Sequence, residues 1–396
     1  MHPLLTGSTT GSKLVRRLAV SGICAIFFTA VLPGTAAAIL TPEVASLQVG
    51  ESMVLEGEKP ARFAFVPENA ESIEIRSTYR IGLPQTILYQ AGRDYLVGSD
   101  GLIRRTLNSR IPDFRTNPLF GRVDFDHRNY PGYGNGRFFV FVDYSYRGKW
   151  SPLAPRTDLG SARLVGVQRK LVNGQKVKIV AFGDSVTAGG ESSEPRLIYW
   201  ERWTESLRLK YPLAKIETVN SGIGGDSSVE GLLRLKKDVL EHKPDLVLIA
   251  FGLNDFNKAP KRSFWQKLVV SFDRVRERLG GPVAPKRPRE IMPSSFVADL
   301  QAMIDRVRAE TSAEIVLVSA LTPNPNWHFS QGDMGAFAAA TEQLALANRC
   351  AYADVYRNWM GFLDKKKSED LLGNNVNHPN DFGHWIYFQA LKALAL

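Results

Sequence analysis

The sequence contains little cysteine, little histidine and a single long apolar run. Of its 396 residues, two are cysteine and six are histidine. Cys24 lies inside the apolar run near the N-terminus, so Cys350 would be the only thiol of a processed chain, which excludes an intramolecular disulfide. Four histidines lie in no spacing typical of metal ligands, namely His127, His242, His328 and His384. The sequence therefore predicts a protein stabilised by its hydrophobic core, with no metal and no cofactor.

The apolar run extends from Leu18 to Leu32. It follows Lys13, Arg16 and Arg17 and is followed by a proline, a glycine and three alanines that end at Ala38. This order predicts a secretory signal peptide over residues 1–38. The run is shorter than the roughly 20 residues of a membrane span. We therefore expect an exported protein, periplasmic or extracellular, with no transmembrane anchor after cleavage.

The charge balance is basic, with 50 lysines and arginines against 40 acidic residues and a net charge of +10. A basic exported protein is attracted to anionic surfaces or polysaccharides, and no motif indicates a nucleic-acid partner. Part of the excess lies in a basic insertion, residues 256–292, whose apolar residues recur at helical spacing. This segment is interpreted either as a helix packed on the core with a solvated basic face, or as a lid, a lipid-surface helix or a polyanion contact.

The N-terminal half alternates short apolar and polar stretches with glycine and proline turns. Residues 72–76, 102–106 and 137–144 show this pattern, and no long helical period interrupts it. The pattern predicts an antiparallel β-sandwich, jelly-roll-like, as an accessory domain over residues 39–165. Its aromatic side chains would form either the sandwich core or a sugar-stacking surface: Tyr130, Tyr133, Phe139, Tyr144, Tyr146 and Trp150.

The C-terminal half alternates buried-strand patterns with helical ones. Apolar, β-branched runs occur near residues 177–180, 216–219, 246–251 and 314–319. Between and after them, helical patterns cover residues 199–210, 229–242, 296–310, 334–346 and 383–394. This alternation predicts an α/β domain with a parallel sheet and right-handed crossovers over residues 166–396.

Four short motifs follow core elements of this domain in a fixed order. Ser185 follows a strand in a Gly-Asp-Ser turn, Gly225 lies in a glycine-rich turn after the next strand, and Asn254 ends the strand at 246–251. His378 precedes the last helical pattern. Because the carboxyl ends of parallel strands share one edge of a sheet, these residues are candidates for acyl transfer. Ser185 would be the nucleophile and His378 the general base, while the Ser185 and Gly225 N–H groups and the Asn254 amide would bind the oxyanion.

With these motifs in order, the sequence resembles the SGNH, or GDSL-type, hydrolases over about residues 175 to 396. The resemblance implies a flavodoxin-like, three-layer α/β/α sandwich and ester hydrolysis. One motif departs from the family pattern, which usually has aspartate three residues before the histidine, because Asn375 stands there. An asparagine carbonyl can fix the imidazole tautomer but supplies no negative charge. Three interpretations stay open: a Ser-His dyad oriented by Asn375 or a backbone carbonyl, an acid from elsewhere such as Asp370, or lost activity.

The sequence favours an exported carboxylic-ester hydrolase that removes small acyl groups, with acetyl first, from a polysaccharide. Some carbohydrate esterases of the family carry a β domain ahead of the catalytic one, and some of these use a Ser-His pair without an acid. A lipid esterase or lysophospholipase is the alternative favoured by the basic insertion. A catalytically silent glycan-binding protein is a third hypothesis, motivated by Asn375.

Overall fold

A computed structural model describes residues 45–148, 150–152, 159–256, 293–330 and 332–396. The predicted signal peptide and residues 257–292 of the basic insertion lie outside these ranges. Within the described ranges, no helix combines the length and the apolar character that crossing a membrane requires.

The centre of the molecule is a five-stranded parallel sheet. Its strands, in chain order, are β7 (Lys176–Gly183), β8 (Lys215–Gly222), β9 (Leu246–Ala250), β10 (Glu314–Val318) and β11 (Ala351–Ala353). Their spatial order is β11-β10-β9-β7-β8, which is the 2-1-3-4-5 order of flavodoxin-like folds. The apolar side chains of β7, β9 and β10 are almost fully buried, as a sheet covered on both faces requires.

Helices follow the strands in the predicted alternation. They are α1 (Val165–Val172), α2 (Ser185–Ala188), α3 (Tyr199–Lys210), α4 (Ser228–Asp238), α5 (Pro293–Glu310), α6 (Met334–Ala347), α7 (Val355–Leu363), α8 (Ser368–Leu371) and α9 (Asp381–Lys392). Helix α3 packs on α9, while α4 packs on α5 and α5 on α6. The predicted three-layer α/β/α fold with a parallel sheet is confirmed.

Antiparallel β-structure precedes the parallel sheet, as predicted. Its strands are β1 (Ala45–Met53), β2 (Glu74–Arg76), β3 (Leu88–Tyr89), β4 (Tyr95–Val97), β5 (Ile103–Arg105) and β6 (Val140–Arg147). They form a four-stranded sheet in the order β1-β6-β2-β3 and a separate β4-β5 pair. Most of the strands are only two or three residues long, and within the described ranges loops and short 3₁₀ turns make up the rest of this region.

The two halves share one hydrophobic core. Residues 43–396 form one compact unit, and buried side chains of both sheets belong to the same apolar cluster. The shared interior also holds an ion pair, because Lys366 Nζ lies 2.6 Å from Glu51 Oε1 with both side chains fully buried. Glu51 also accepts hydrogen bonds from the Ala64 N–H and the Tyr144 hydroxyl. A division into domains 39–165 and 166–396 stays a prediction.

Candidate active site

Ser185 is the first residue of α2, and only Asp184 separates it from the end of β7. A Cβ atom at Gly183 would clash with the Ala250 carbonyl oxygen of β9, so this turn requires glycine. Asp184 caps α2, since its carboxylate accepts a hydrogen bond from the Val186 N–H at 2.9 Å. Ser185 therefore lies at the carboxyl edge of the sheet, beside the switch point between β7 and β9 where open α/β sheets place their sites.

His378 meets Ser185 at this edge. The distance from His378 Nε2 to Ser185 Oγ is 2.8 Å, which is a hydrogen bond between two residues 193 positions apart in the chain. Burial, with a smaller effect of His127, lowers the pKa of His378 from 6.5 to about 4. The imidazole is therefore neutral at neutral pH. For Nε2 to accept the serine proton, its own proton must be on Nδ1.

The backbone that carries His378 is fixed by Asn374. Asn374 Oδ1 accepts hydrogen bonds from the N–H groups of Val376, Asn377 and His378, at 3.0, 2.9 and 2.9 Å. Its Nδ2 donates to Asn377 Oδ1 at 3.1 Å. The Gly373 N–H closes the turn by donating to the His378 carbonyl oxygen at 2.8 Å. We call residues 373–378 the histidine turn.

The loop after β8, residues 223–227, faces the same edge and is called the glycine loop. Gly225 has φ of 77°, in the left-handed region that glycine adopts without strain. Among the described residues, the N–H groups of Ser185 and Gly225 have no acceptor. Asn254 Nδ2 donates one of its two hydrogens to the Asp226 carbonyl oxygen at 2.9 Å. Its second hydrogen and the two backbone N–H groups are thus available to a substrate oxygen.

Arg234 of α4 anchors the glycine loop to the sheet. Its guanidinium lies 2.6 Å from Asp226 Oδ2 and donates to the carbonyl oxygens of Ser221 and Gly183 at 2.7 and 2.8 Å. The same group stacks over the Phe182 ring, 4.5 Å from its centroid. One side chain therefore connects the ends of β7 and β8 to the loop that holds Gly225.

Residues 181–386 match the sequence profile of the GDSL-like lipase/acylhydrolase family. This range is more than half of the chain and contains all four predicted motifs. The chain belongs to the GDSL-like lipase/acylhydrolase family. The predicted resemblance is thereby confirmed.

Two curated proteins are 35% identical to the chain over short stretches. An uncharacterized lipoprotein, YqeF, of Bacillus subtilis aligns over 106 residues, which is 25% of this chain and 43% of that protein. An arylesterase of Vibrio mimicus aligns over 94 residues, which is 24% of this chain and 44% of that protein. The chain thus spans less than half the length of the curated relatives it matches.

Solved structures of esterases are similar at low identity. The acetylxylan esterase Axe2 of Geobacillus stearothermophilus has 21% identity and a TM-score of 0.41, covering 56% of this chain and 94% of that one. A two-domain esterase, CEX, active on acetylated mannans has 20% identity and a TM-score of 0.44, covering 59% of this chain and 53% of that one.

Asn375 stands three residues before His378, at the position where the sequence analysis expects the aspartate of the family pattern. Asn375 Oδ1 accepts a hydrogen bond from Asn324 Nδ2 at 3.1 Å rather than from His378. Asp370, the other candidate, accepts from the backbone N–H groups of Val54 and Lys367 at 2.8 and 3.0 Å. Among the described residues, no group accepts a hydrogen bond from His378 Nδ1. Within the part of the chain that the structure describes, Ser185 and His378 therefore meet with no carboxylate bonded to the imidazole.

The geometry depends on residues that the sequence motifs did not indicate. Asn374 and Arg234 hold the histidine turn and the glycine loop, although neither belongs to the four predicted motifs. The cluster of three asparagines at 374, 375 and 377 is a turn signal that identifies the histidine turn in retrospect.

Two buried acids lie beneath the site, where burial raises the pKa of Asp184 to about 7 and that of Asp255 to about 6.

Proposed function

We propose that this protein is an exported serine esterase that removes acetyl groups from a polysaccharide. The observation that carries the proposal is the 2.8 Å hydrogen bond between Ser185 Oγ and His378 Nε2 at the carboxyl edge of the parallel sheet. Membership in the GDSL-like lipase/acylhydrolase family supports ester hydrolysis as the reaction.

In the proposed mechanism, Ser185 Oγ attacks the ester carbonyl carbon while His378 Nε2 removes the serine proton. The carbonyl oxygen becomes an oxyanion that accepts hydrogen bonds from the N–H groups of Ser185 and Gly225 and from Asn254 Nδ2. One such donor is typically worth about 10²–10³ in rate. His378 then protonates the leaving alcohol, and a water molecule, deprotonated by the same imidazole, hydrolyses the acyl-serine.

The mechanism operates as a Ser-His dyad. No described carboxylate stabilises the imidazolium that forms in the transition state, and burial disfavours that cation, as the lowered pKa of His378 reflects. Removing the carboxylate from a triad typically costs about 10⁴ in kcat, mainly by allowing the wrong tautomer. Here Asn374 fixes the backbone of the turn and so the position of the imidazole, whereas the tautomer is set only by the Ser185 hydroxyl at Nε2.

Polar residues close to the histidine turn favour a leaving alcohol that is itself polar. His127 and Tyr133 of the N-terminal region and Glu191 of the loop after α2 lie close to the histidine turn, and all three carry polar atoms.

Export is supported by the predicted signal peptide and by the similarity to a lipoprotein.

The second candidate is a catalytically silent glycan-binding protein. It is favoured by the lack of an acceptor for His378 Nδ1 among the described residues. The lipid esterase hypothesis depends on the basic insertion, of which residues 257–292 lie outside the described ranges.

The deciding experiment compares hydrolysis of p-nitrophenyl acetate and p-nitrophenyl octanoate by the mature protein. Ser185→Ala is the test variant, and Ser206→Ala is a matched control because that hydroxyl bonds only the Trp203 carbonyl oxygen of its own helix. Acetate-selective turnover that is lost in Ser185→Ala alone is the expected result. Octanoate preference would favour the lipid esterase, and the absence of serine-dependent turnover on either ester would favour the silent binding protein.

A further inference from the structure

The N-terminal region reaches the active site through backbone hydrogen bonds. The Phe125 N–H donates to the Asn326 carbonyl oxygen at 3.0 Å, and the Asn135 N–H donates to the Gly373 carbonyl oxygen at 2.8 Å. Gly373 is the first residue of the histidine turn. Residues 126–134 are therefore held between two anchors, one of which is the turn that carries His378.

This held segment presents an aromatic pair with an unused hydrogen-bond donor. The rings of His127 and Tyr133 meet edge to face at a centroid distance of 5.1 Å, and both residues are partly exposed. Trp327 Nε1 donates to His127 Nδ1 at 3.0 Å, so the neutral imidazole carries its own proton on Nε2. Burial lowers the pKa of His127, which favours this neutral form. Among the described residues, the Nε2–H group has no acceptor.

Glu191 supplies an unused acceptor beside the histidine turn. The preceding residue, Gly190, packs on the His378 ring, because a Cβ atom there would lie 3.2 Å from Nδ1. The Glu191 side chain lies on Gly373, with Oε2 3.0 Å from where a Cβ of Gly373 would be. Among the described residues, its carboxylate has no hydrogen bond or ion pair.

The backbone conformation of Glu191 and the partly buried position of its carboxyl group are unusual for an exposed glutamate. Its φ of 61° is in the left-handed region, which costs free energy for a residue other than glycine and is enriched at functional sites. Burial raises the pKa of its carboxyl group. A Cβ atom at Gly134, next to Tyr133, would lie 3.7 Å from the Gly373 carbonyl oxygen, so the aromatic pair and Glu191 both adjoin Gly373, and the charge of Glu191 contributes to raising the pKa of Tyr133.

We infer that His127, Tyr133 and Glu191 form the subsite for the alcohol part of the ester, and that this alcohol is a pyranose ring with free hydroxyl groups. The inference rests on the proposed function and names its substrate class. An aromatic surface covers the C–H face of such a ring, while one free donor and one free carboxylate pair with its hydroxyls. A simple aliphatic alcohol would desolvate both polar groups without pairing them, which is unfavourable.

The test uses acetates of six-membered rings with and without hydroxyl groups. Mono-O-acetylated methyl pyranosides of the xylo, manno and gluco configurations are compared with cyclohexyl acetate, which has a six-membered ring and no hydroxyls. The readout is the ratio of kcat/KM between the preferred sugar acetate and cyclohexyl acetate. Glu191→Gln removes the charge with little change in shape, and Glu71→Gln is the matched control because Glu71 is exposed on the N-terminal region.

The wild-type protein and Glu71→Gln are expected to prefer a sugar acetate, and Glu191→Gln is expected to lower the ratio about tenfold or more, as loss of a charged hydrogen bond does. An unchanged ratio in Glu191→Gln, or no sugar preference in the wild type, would overturn the subsite.

A binding measurement separates failure of the subsite from failure of the proposed function. Saturation-transfer NMR with the unacetylated methyl pyranosides is applied to the Ser185→Ala protein, with and without Glu191→Gln. Binding that depends on Glu191 would support the subsite even if no ester were hydrolysed. Binding that is absent, or that does not depend on Glu191, would refute the subsite while leaving serine-dependent ester hydrolysis intact.

Discussion

Replacement of Asn374 by alanine tests whether the histidine turn positions the general base. The substitution removes one oxygen that accepts three backbone hydrogen bonds, including the one from the His378 N–H at 2.9 Å. Asn374→Asp keeps that oxygen and loses only the donation from Nδ2 to Asn377. Comparison of the two variants therefore distinguishes loss of the three backbone hydrogen bonds from loss of the amide donor alone.

The size of the effect follows from these contacts. A hydrogen bond contributes about 0.5–1.5 kcal/mol net, and water can replace part of three lost bonds at a half-buried turn, so we expect a loss of about 1–3 kcal/mol in the free energy of unfolding. A shift of about 1 Å in a catalytic group can lower the rate about 10²-fold. We expect kcat of Asn374→Ala to fall about 10- to 100-fold with KM nearly unchanged, and Asn374→Asp to recover most of the loss.

The assay is steady-state hydrolysis of p-nitrophenyl acetate, with a pH profile and a thermal melt of each variant. Asn173→Ala is the control, since Asn173 is exposed and lies in a loop away from the site. A mispositioned His378 would also move the acid limb of the pH profile, which a general loss of stability would not do. If Asn374→Ala melted at a lower temperature but kept its kcat and pH profile, packing alone would hold the turn and the reasoning would fail.

Further predictions concern the pH dependence, the third catalytic position and the buried ion pair. Since the pKa of His378 is lowered from 6.5 to about 4, kcat/KM should stay high down to about pH 5 and fall below it, whereas an acid limb near 6.5 would contradict burial of the imidazole. As the pH falls, the imidazole of His378 is protonated in the unfolded chain near pH 6.5 but in the folded protein only near pH 4. The free energy of unfolding, measured by denaturant titration, should therefore decrease between these two pH values. Asn375→Asp should keep or raise turnover of p-nitrophenyl acetate, and a loss of more than tenfold would show that the site is not built around that position. Lys366→Met leaves the Glu51 carboxylate buried without its cation and should destabilise the protein by about 3–5 kcal/mol, while adding Glu51→Gln should restore part of that stability in the same melts.

Local periodicity was sufficient to predict the parallel sheet and its helices. Helix α3 has the predicted bounds, and the other long helices lie within a few residues of theirs, because each buries one apolar stripe against a sheet. The meeting of Ser185 and His378 followed from the order of the motifs, since both lie at the same edge of the sheet. The roles assigned to these residues, and to Gly225 and Asn254, stay predictions.

Features that depend on distant partners could not be predicted in the same way. Strand β1 was not indicated, because Glu51 and Ser52 are polar yet fully buried, and each has a partner more than 300 residues later in the chain, Lys366 and Asp370. The support from Asn374 depends on a turn in which Asn375 has φ of 58°, a conformation that sequence pattern alone does not specify. The diversion of Asn375 to Asn324 is likewise a tertiary contact across 51 positions.

These distant contacts connect the N-terminal sheet to the segment that carries His378. The Ser52 hydroxyl donates to the Asp370 carbonyl oxygen at 2.6 Å, and Asn380 Nδ2 donates to Ser52 Oγ at 2.9 Å. Asp370 and Asn380 flank the histidine turn on either side. The turn that carries His378 is therefore held between the parallel sheet, where the serine lies, and the antiparallel sheet. Because a buried hydrogen bond is costly to leave unmade, we expect loss of the Ser52 hydroxyl to disturb the segments on both sides of the histidine turn. The N-terminal region is thus a structural part of the candidate site, which an accessory domain joined only by a linker would not be.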